Sequence, residues 1–360
     1  MVKRKWMEKM GALSGALLLA ASCAESGTGT DADFSSQLNC TIPESEIFNG
    51  GPGKDGIPAL TDPFMVGAGD PGAAYLLEDD RVIGLRSGNE FLAIPLNILW
   101  WHEIVNLNLP DGRLAVTHCP LTGSSMAFDR SAVDGAELGV SGLLYQNNLI
   151  MYDRNTQESL WPQMLRGARC GAATGQDLPM VAVVEMSWEG WRSLHPETLV
   201  VSSETGARRN YQSYPYGSYD EVDNSELLFP LARVDGRRPL KERVLGIPVG
   251  SGGQSFPFGE LASLGSVAAV EWEDEVVFWD GVREAAMAYS RTLEDGSELT
   301  FQAVEGEIRD NGTLSVWNVE GLAVSGPLAG TRLDPVPEAY VAFWFAWAAF
   351  HPETDLWEAP

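Results

Sequence analysis

A collinear internal repeat is the feature that most constrains this sequence. RVIG at 81–84 matches RVLG at 243–246, and HPET at 195–198 recurs at 351–354. The other matches pair 93–96 with 255–258, 126–130 with 287–291, 159–161 with 315–317, and Gly171 and Gly175 with Gly326 and Gly330. Chance supplies one such match, but six in the same order indicate an internal duplication. Two long copies predict a duplicated domain instead of a solenoid.

The secondary structure predicted from the sequence is mostly β. Runs such as Arg113–His118 and Ser124–Asp129 are short, rich in Val, Leu and aromatic residues, and bounded by Gly, Asp or Pro. Two helices are predicted in the first copy, one over Pro95–Asn106 and one that begins at the N-cap Ser187 and stops before Pro196. We predict a mainly β fold with a few helices (β-rich α+β), as two related sheet or barrel domains.

The first 22 residues have the pattern of an export signal. Four basic residues precede a short apolar run over Gly11–Ser22, which is too short to span a bilayer in the mature chain. Ala20-Ala21-Ser22-Cys23 resembles the lipobox of bacterial lipoproteins, so Cys23 is expected to carry a lipid. An ordinary cleaved signal with an incidental cysteine is the alternative. Either way the domain works outside the cytoplasm, and Ala24 after Cys23 favours the outer membrane where the cell has one.

The chain is thereby divided into four parts. We predict an export signal at 1–22, a flexible tether at 23–37, a first repeat at 38–210 that carries the candidate site, and a degenerate second repeat at 211–360. The tether is predicted from its Ser, Gly, Thr and acidic residues, which offer almost nothing to bury.

The net charge bounds the partners. The sequence has 50 Asp and Glu against 24 Lys and Arg, a formal charge of −26. Such a chain repels phosphate backbones, which excludes nucleic acid as a partner. The expected partner is a membrane, through the lipid on Cys23, with a small molecule or an envelope protein as a further candidate. No cofactor-binding residues are predicted, because in the glycine-rich Gly50–Gly56 the residue after Lys54 is Asp55, where a phosphate loop needs Ser or Thr.

Residues found in only one copy are the candidates for chemistry. Aligning the copies pairs His102 with Leu264, His118 with Trp279 and Cys119 with Asp280. Residues shared by both copies are expected to build the fold. His195 and His351 are shared, and each lies at a predicted helix end, where a cation suits the helix dipole. We therefore do not predict them as ligands.

Cys119 and His102 form the predicted site. Cys119 ends a strand and opens the turn Pro120–Gly123, where nearby backbone N–H groups favour a thiolate. His102 is predicted as the catalytic base that activates this thiol or, alternatively, as a metal ligand beside it. Glu103 and Asp153 are predicted to lie behind the imidazole and to orient it by accepting a hydrogen bond.

Other interpretations leave Cys119 without chemistry. Outside the cytoplasm, Cys40, Cys119 and Cys170 allow one disulfide and one remaining thiol, and the sequence does not choose the pair. A simply packed cysteine is a further alternative, because free Cys is among the most buried residue types. The tyrosine-rich segment Asn210–Asp220 offers a surface for a ligand, although amphipathic tyrosines more often pack an interface between domains.

Several blocks resemble the bacterial domain-of-unknown-function family thirty-one seventy-nine. They are DGIPALTDP at 55–63, WHEIVN at 101–106, VTHCPLTGSS at 116–125, GVSGLLYQNNLIMYDR at 139–154, ESLWPQ at 158–163 and FWFAWAAFHPET at 343–354. The likeness runs from about Cys40 to the C-terminus. It implies an exported or anchored protein without an established reaction.

The resemblance also exposes a departure at Thr122. Many members have Cys-Pro-Leu-Cys where this chain has Cys119-Pro120-Leu121-Thr122. A two-cysteine redox switch or a two-thiolate metal clamp therefore cannot form from this motif. A single Cys119 with His102 is still able to bind copper or to act as a nucleophile.

Two functions are open from the sequence, and neither names a reaction or decides whether the chain is an enzyme. The first is a cell-envelope lipoprotein with a single-thiol or copper-like metal site on Cys119 and His102. The second is a noncatalytic envelope binding or interaction protein, whose cysteines are buried or disulfide-bonded.

Overall fold

The computed structural model describes residues 39–155 and 158–360. The predicted export signal, the tether with Cys23, and Leu38 at the start of the first repeat lie outside these residues. The first half contains β1 (Ile47–Asn49), β2 (Leu60–Thr61), β3 (Met65–Gly67), β4 (Arg81–Ser87), β5 (Glu90–Pro95), α1 (Leu96–His102), β6 (Ile104–Leu109), β7 (Gly112–Cys119), β8 (Ser124–Asp129), β9 (Leu138–Tyr145), β10 (Asn148–Asp153), β11 (Ser159–Pro162), β12 (Cys170–Gly171), β13 (Met180–Val181), β14 (Val184–Ser187), α2 (Trp188–Leu194) and β15 (Leu199–Val201).

The second half repeats much of this order. It contains β16 (Arg243–Val249), β17 (Gly252–Pro257), α3 (Phe258–Ser263), β18 (Val267–Trp272), β19 (Glu275–Asp280), β20 (Ala285–Ser290), β21 (Phe301–Val304), β22 (Glu307–Asp310), β23 (Val316–Trp317), β24 (Ala323–Ser325), β25 (Tyr340–Phe343), α4 (Trp344–Phe350) and β26 (Glu353–Leu356). Short 3-10 turns occur at Glu44–Glu46, Pro71–Ala73, Arg130–Val133 and Gln163–Leu165. The predicted class, mainly β with a few helices, is confirmed.

The first helix is shorter than its apolar spacing predicted. α1 ends at His102 instead of Asn106, and the chain enters β6 at Ile104. Between them, Glu103 has a positive φ of 57°, and its N–H closes the last helical turn on the Leu99 carbonyl at 2.8 Å. The β-branched residues that follow favour a strand, and pairing with β7 outweighs the helical spacing. By contrast, α2 begins as predicted after its N-cap Ser187.

Strands from both halves meet in one sheet. A nine-stranded sheet follows the order β2-β6-β7-β8-β25-β16-β17-β26, with β13 also on β8. The halves join where Ser125 of β8 pairs with Val341 of β25. Separate sheets are formed by β14-β4-β5-β15-β3, β1-β9-β10-β11-β12, β18-β19-β20 and β21-β22-β23-β24. The two predicted repeats therefore share a sheet and a hydrophobic core.

The order and pairing of elements correspond between the halves. The series β4-β5-α1-β6-β7-β8 has its counterpart in β16-β17-α3-β18-β19-β20, and β14-α2-β15 has its counterpart in β25-α4-β26. In each case the last strand pairs in parallel with the second strand of its half, β15 with β5 and β26 with β17. These correspondences support the duplication, which remains our interpretation of them.

The HPET motifs have the same anchoring role in both halves. The Trp191 indole N–H donates to Thr198 Oγ1 at 2.8 Å, and Trp347 donates to Thr354 Oγ1 at the same distance. Burial lowers the pKa of His351 to about 4, so its ring is neutral at pH 7 and not the cation expected at a helix end. Each motif thus fixes a buried tryptophan under the strand that follows its helix.

One disulfide answers the pairing question. Cys40 and Cys170 are bonded, which ties the beginning of the described chain to β12. Cys119 is the remaining thiol, and it is buried. A bridge that uses Cys119 is therefore not formed.

The two tryptophans generate a matched prediction for the packing. A Cβ added at Gly84 or at Gly246 would overlap the indole ring of Trp191 or Trp347, respectively. We expect Gly84→Ala and Gly246→Ala each to lower the free energy of unfolding by about 1–3 kcal/mol, measured by urea denaturation. Gly67→Ala is the control, because nothing lies within 4 Å of a Cβ there. Equal stability of all three variants would contradict this packing.

Candidate functional site

Cys119 lies in the protein interior at the end of β7. It is 1% exposed, and its Sγ donates to the Asn147 carbonyl over 3.7 Å. Burial raises its pKa to about 11 and outweighs the nearby backbone N–H groups of Thr122 and Leu149, which act in the opposite direction. The thiol therefore stays protonated at neutral pH, whereas nucleophilic attack and soft-metal binding need the thiolate.

His102 is fully buried, and both of its ring nitrogens are engaged. Nδ1 lies 2.7 Å from the Pro58 carbonyl oxygen, and Nε2 lies 2.8 Å from the Tyr211 hydroxyl. Because a carbonyl only accepts, Nδ1 carries the proton and Nε2 accepts from the tyrosine. Burial lowers the pKa of His102, so the ring is neutral. Its hydrogen bonds and those of Cys119 lead to different residues, so these contacts do not join the predicted pair.

His118 belongs to a different buried cluster. Ser125 Oγ donates to Glu185 Oε2 at 2.5 Å and lies 3.0 Å from His118 Nδ1. Glu185 also binds Arg81 at 2.9 Å and Arg243 at 3.1 Å. Burial lowers the pKa of His118 to about 3. The serine proton thus faces a carboxylate that two arginines already neutralise, so the imidazole does not activate Ser125.

The Asp153 carboxylate accepts hydrogen bonds from groups other than a histidine. Its Oδ2 accepts from the Trp161 indole N–H at 2.7 Å and from the Ser159 backbone N–H at 3.0 Å. Asp310 binds Trp317 and Ser315 in the same way in the second half. The Asn155 backbone N–H donates to Asp153 Oδ1 at 3.3 Å. The partners of Asp153 are therefore an indole and two backbone N–H groups, and none of them is the imidazole that was predicted.

Glu103 is the residue that stands out in this region. Its backbone is held in the positive-φ conformation by two hydrogen bonds, from its N–H to Leu99 and from the His118 N–H to its carbonyl at 2.9 Å. Its side chain is buried, with 6% of the residue exposed. Among the described residues, no hydrogen bond or ion pair reaches the carboxyl, and burial raises its pKa to about 8. Strained backbone and an uncompensated buried acid both cost free energy, and such costs concentrate at functional sites.

Glu103 lines a cavity of about 370 Å³. The other lining residues are mostly apolar: Gly50, Pro52, Ile57, Leu121, Val140, Gly142, Leu143, Leu144, Tyr216, Leu228 and Phe229. A concave, mostly apolar wall with one ionisable group is the usual form of a small-molecule site. We call this space the Glu103 cavity.

The stretch between β15 and β16, residues 202–242, forms one wall of the Glu103 cavity. Asn147 fixes this segment, because its side chain accepts from the Phe229 N–H and donates to the Phe229 carbonyl, each at 3.0 Å. Tyr219 donates its hydroxyl proton to the Leu121 carbonyl at 3.1 Å, and Tyr214 packs edge-on against Trp100. The tyrosines of Asn210–Asp220 therefore pack against the first half.

The described residues, 39–155 and 158–360, contain no group of three or more His, Cys, Asp or Glu side chains that could hold a metal ion. In the same residues no helix has both the length and the apolar character needed to cross a membrane. The copper role of Cys119 and His102 stays a prediction.

Comparison with known proteins places the chain in a family. A model of a protein family of unknown function, DUF3179, matches residues 54–354. The chain belongs to the DUF3179 family. This confirms the resemblance predicted from the sequence blocks. No curated protein and no solved structure matches the chain.

Thr122, where many DUF3179 proteins were expected to have a second cysteine, is part of a closed polar network in this member. Its Oγ1 lies 2.8 Å from Ser124 Oγ and accepts from Asn148 Nδ2 at 3.0 Å. Asn148 also donates to Gln163 Oε1 at 2.8 Å. These buried groups satisfy one another, so Thr122 supports the fold of the turn after Cys119.

The sequence analysis predicted Glu103 as an acceptor for the imidazole and not as a cavity residue. It included Tyr216 only as part of Asn210–Asp220, and it missed Phe229. The signal for Glu103 was the alignment that singled out Cys119, because the same alignment places Gly265 opposite Glu103. Gly265 also has a positive φ, at 133°. A glutamate in one copy opposite a glycine in the other indicates a candidate functional residue as well as a cysteine found in only one copy does.

Glu103 generates a stability prediction. We expect Glu103→Gly to raise the free energy of unfolding at pH 8 by about 1–3 kcal/mol, because it removes strained backbone and an uncompensated acid. The folded pKa of Glu103 is raised, so the wild type loses stability as the pH rises from about 4.5 to about 8. The gain should therefore be larger at pH 8 than at pH 5 in urea denaturation.

The control is Glu305→Gly, at an exposed glutamate that also has a positive φ, of 54°. It relieves backbone strain without removing a buried acid. Its effect should not change between the two pH values. An equal pH dependence in both variants would refute the account of Glu103.

Proposed function

We propose that the chain is a noncatalytic binding protein of the bacterial cell envelope that holds one small, largely apolar molecule in the Glu103 cavity. The observation that carries the proposal is a buried carboxyl without a described partner, on strained backbone, in the wall of an apolar cavity. A volume of about 370 Å³ is in the range of small-molecule sites.

The contacts of Cys119 and His102 favour this proposal over a thiol or copper site. The thiol is protonated and donates to Asn147, and the imidazole is neutral with both nitrogens in use. Either chemistry would require these bonds to break first. A protonated thiol and a satisfied imidazole suit a wall behind a binding site.

The binding proposal is tested with a neutral apolar dye, N-phenyl-1-naphthylamine, whose fluorescence rises in apolar surroundings. We expect saturable binding of one dye per chain. Leu228 lines the cavity and is 44% exposed, so Leu228→Trp should fill the cavity without disturbing the core and weaken binding by about tenfold or more.

The matched control is Leu77→Trp, at a leucine that is 60% exposed and does not line the Glu103 cavity. It should bind the dye as the wild type does. The proposal fails if the wild type shows no saturable binding, or if the two tryptophan variants bind equally.

We further propose that the chain is exported and anchored to the envelope by a lipid on Cys23, to the outer membrane where the cell has one, with residues 24–37 as the tether. The Cys40–Cys170 disulfide supports export, because disulfides persist in oxidising compartments.

The anchor is tested by feeding radiolabelled palmitate to bacteria that produce the full chain. We expect label in the wild type and in Cys119→Ala, whose thiol is buried, but none in Cys23→Ser. The wild type should sediment with membranes, and Cys23→Ser should not. Label that persists in Cys23→Ser would exclude Cys23 as the lipid site.

A further inference from the structure

Glu103 differs from the other buried acids of the described residues because neither a hydrogen-bond donor nor a cation contacts its carboxyl. Those that have donors or cations are Asp153 with Trp161 and Ser159, Glu185 with Arg81 and Arg243, Glu242 with Arg238, Asp280 with Arg283, and Asp310 with Trp317 and Ser315. The fold thus supplies a donor or a cation to each of these acids. Glu103 receives neither in the described chain, so its carboxyl is left to solvent or to a ligand in the cavity.

The groups around Glu103 also do not repel a cation. Cys119 and Tyr216 are the titratable side chains whose charge couples to Glu103, and burial raises the pKa of each, so both are neutral at pH 7. Tyr216 and Phe229 are aromatic residues that line the cavity, and aromatic residues are suited to a site for a cation. The formal charge of −26 raises the local concentration of cations and lowers that of anions.

We propose that the Glu103 cavity binds an apolar amine, with the ligand's ammonium group against the Glu103 carboxylate and its hydrocarbon part against the apolar wall. This inference rests on the proposed binding function and adds the class of ligand. On binding, a protonated Glu103 releases its proton to solvent, and the ammonium keeps its own protons.

The proton balance makes the inference testable by pH. An ammonium ligand needs the ionised carboxyl, so its affinity rises with pH as Glu103 ionises, towards its pKa of about 8. A neutral ligand that accepts a hydrogen bond from the protonated carboxyl shows the opposite trend. The change of affinity with pH therefore has opposite signs for an ammonium ligand and for a neutral ligand.

The experiment compares two probes of nearly equal shape, 1-naphthylmethylamine and 1-naphthalenemethanol, by calorimetry of the whole chain at about pH 6 and about pH 8. We expect the amine to bind about tenfold or more tightly than the alcohol at pH 8, and more tightly at pH 8 than at pH 6. The heat at about pH 7, where Glu103 is protonated, should vary with the buffer's ionisation enthalpy, because a proton is released.

The variant is Glu103→Gln, which keeps the shape of the side chain and removes its charge. It should weaken amine binding by about tenfold or more, remove the proton release, and leave alcohol binding nearly unchanged. Circular dichroism and the Leu228→Trp variant verify that the fold is intact and that both probes occupy the Glu103 cavity.

The outcomes separate this inference from the proposed function. If both probes bind alike, or the amine binds no more tightly at pH 8 than at pH 6, the amine inference is overturned and the binding function stands. If neither probe binds while the dye does, the same conclusion holds. If the dye also fails to bind, both are overturned.

Discussion

Two arginines at equivalent positions of the two halves bind one buried carboxylate, and the junction of the halves depends on this contact. Arg81 of β4 and Arg243 of β16 both bind Glu185. The register of β14 on β4 and of β25 on β16 places Val341 where a second glutamate would stand. A buried ionised carboxylate costs free energy unless cations or hydrogen-bond donors compensate it. One acid between two cations meets this condition, and so the halves cannot be identical at their junction.

The same asymmetry places the cavity in one half. Glu103 and Gly265 lie opposite each other when the sequences of the two copies are aligned, and both have positive φ, which glycine adopts freely and glutamate does not. The glycine argues that the backbone turn needs no acid for its own stability. The glutamate at this position is buried and has no described partner, so it does not serve the stability of the fold. Binding of a ligand is the simplest reason for its presence.

The sequence predicted the features that depend on residues close together in the chain, such as helix caps. Ser187 caps α2 because a serine before an apolar helical run satisfies free N–H groups locally. The end of α1 was wrong because the turn at Glu103 depends on β7, whose His118 N–H holds the Glu103 carbonyl. The pairing of β8 with β25 and the choice of Cys40 with Cys170 depend on contacts between distant parts of the chain. Spacing and composition do not record such contacts.

The stretch between β15 and β16 links Cys119 to the cavity in a way that the sequence did not indicate. Asn147 accepts the Cys119 thiol on its backbone carbonyl and holds Phe229 with its side chain. One residue, Asn147, thus separates the thiol from Phe229 in the cavity wall. The hydrogen bond of the thiol helps to fix the turn that positions Phe229. A buried thiol packs as a small apolar group with a weak donor. Cys119 therefore positions the wall against which a ligand of Glu103 would pack, and its protonated state is the one that this contact requires.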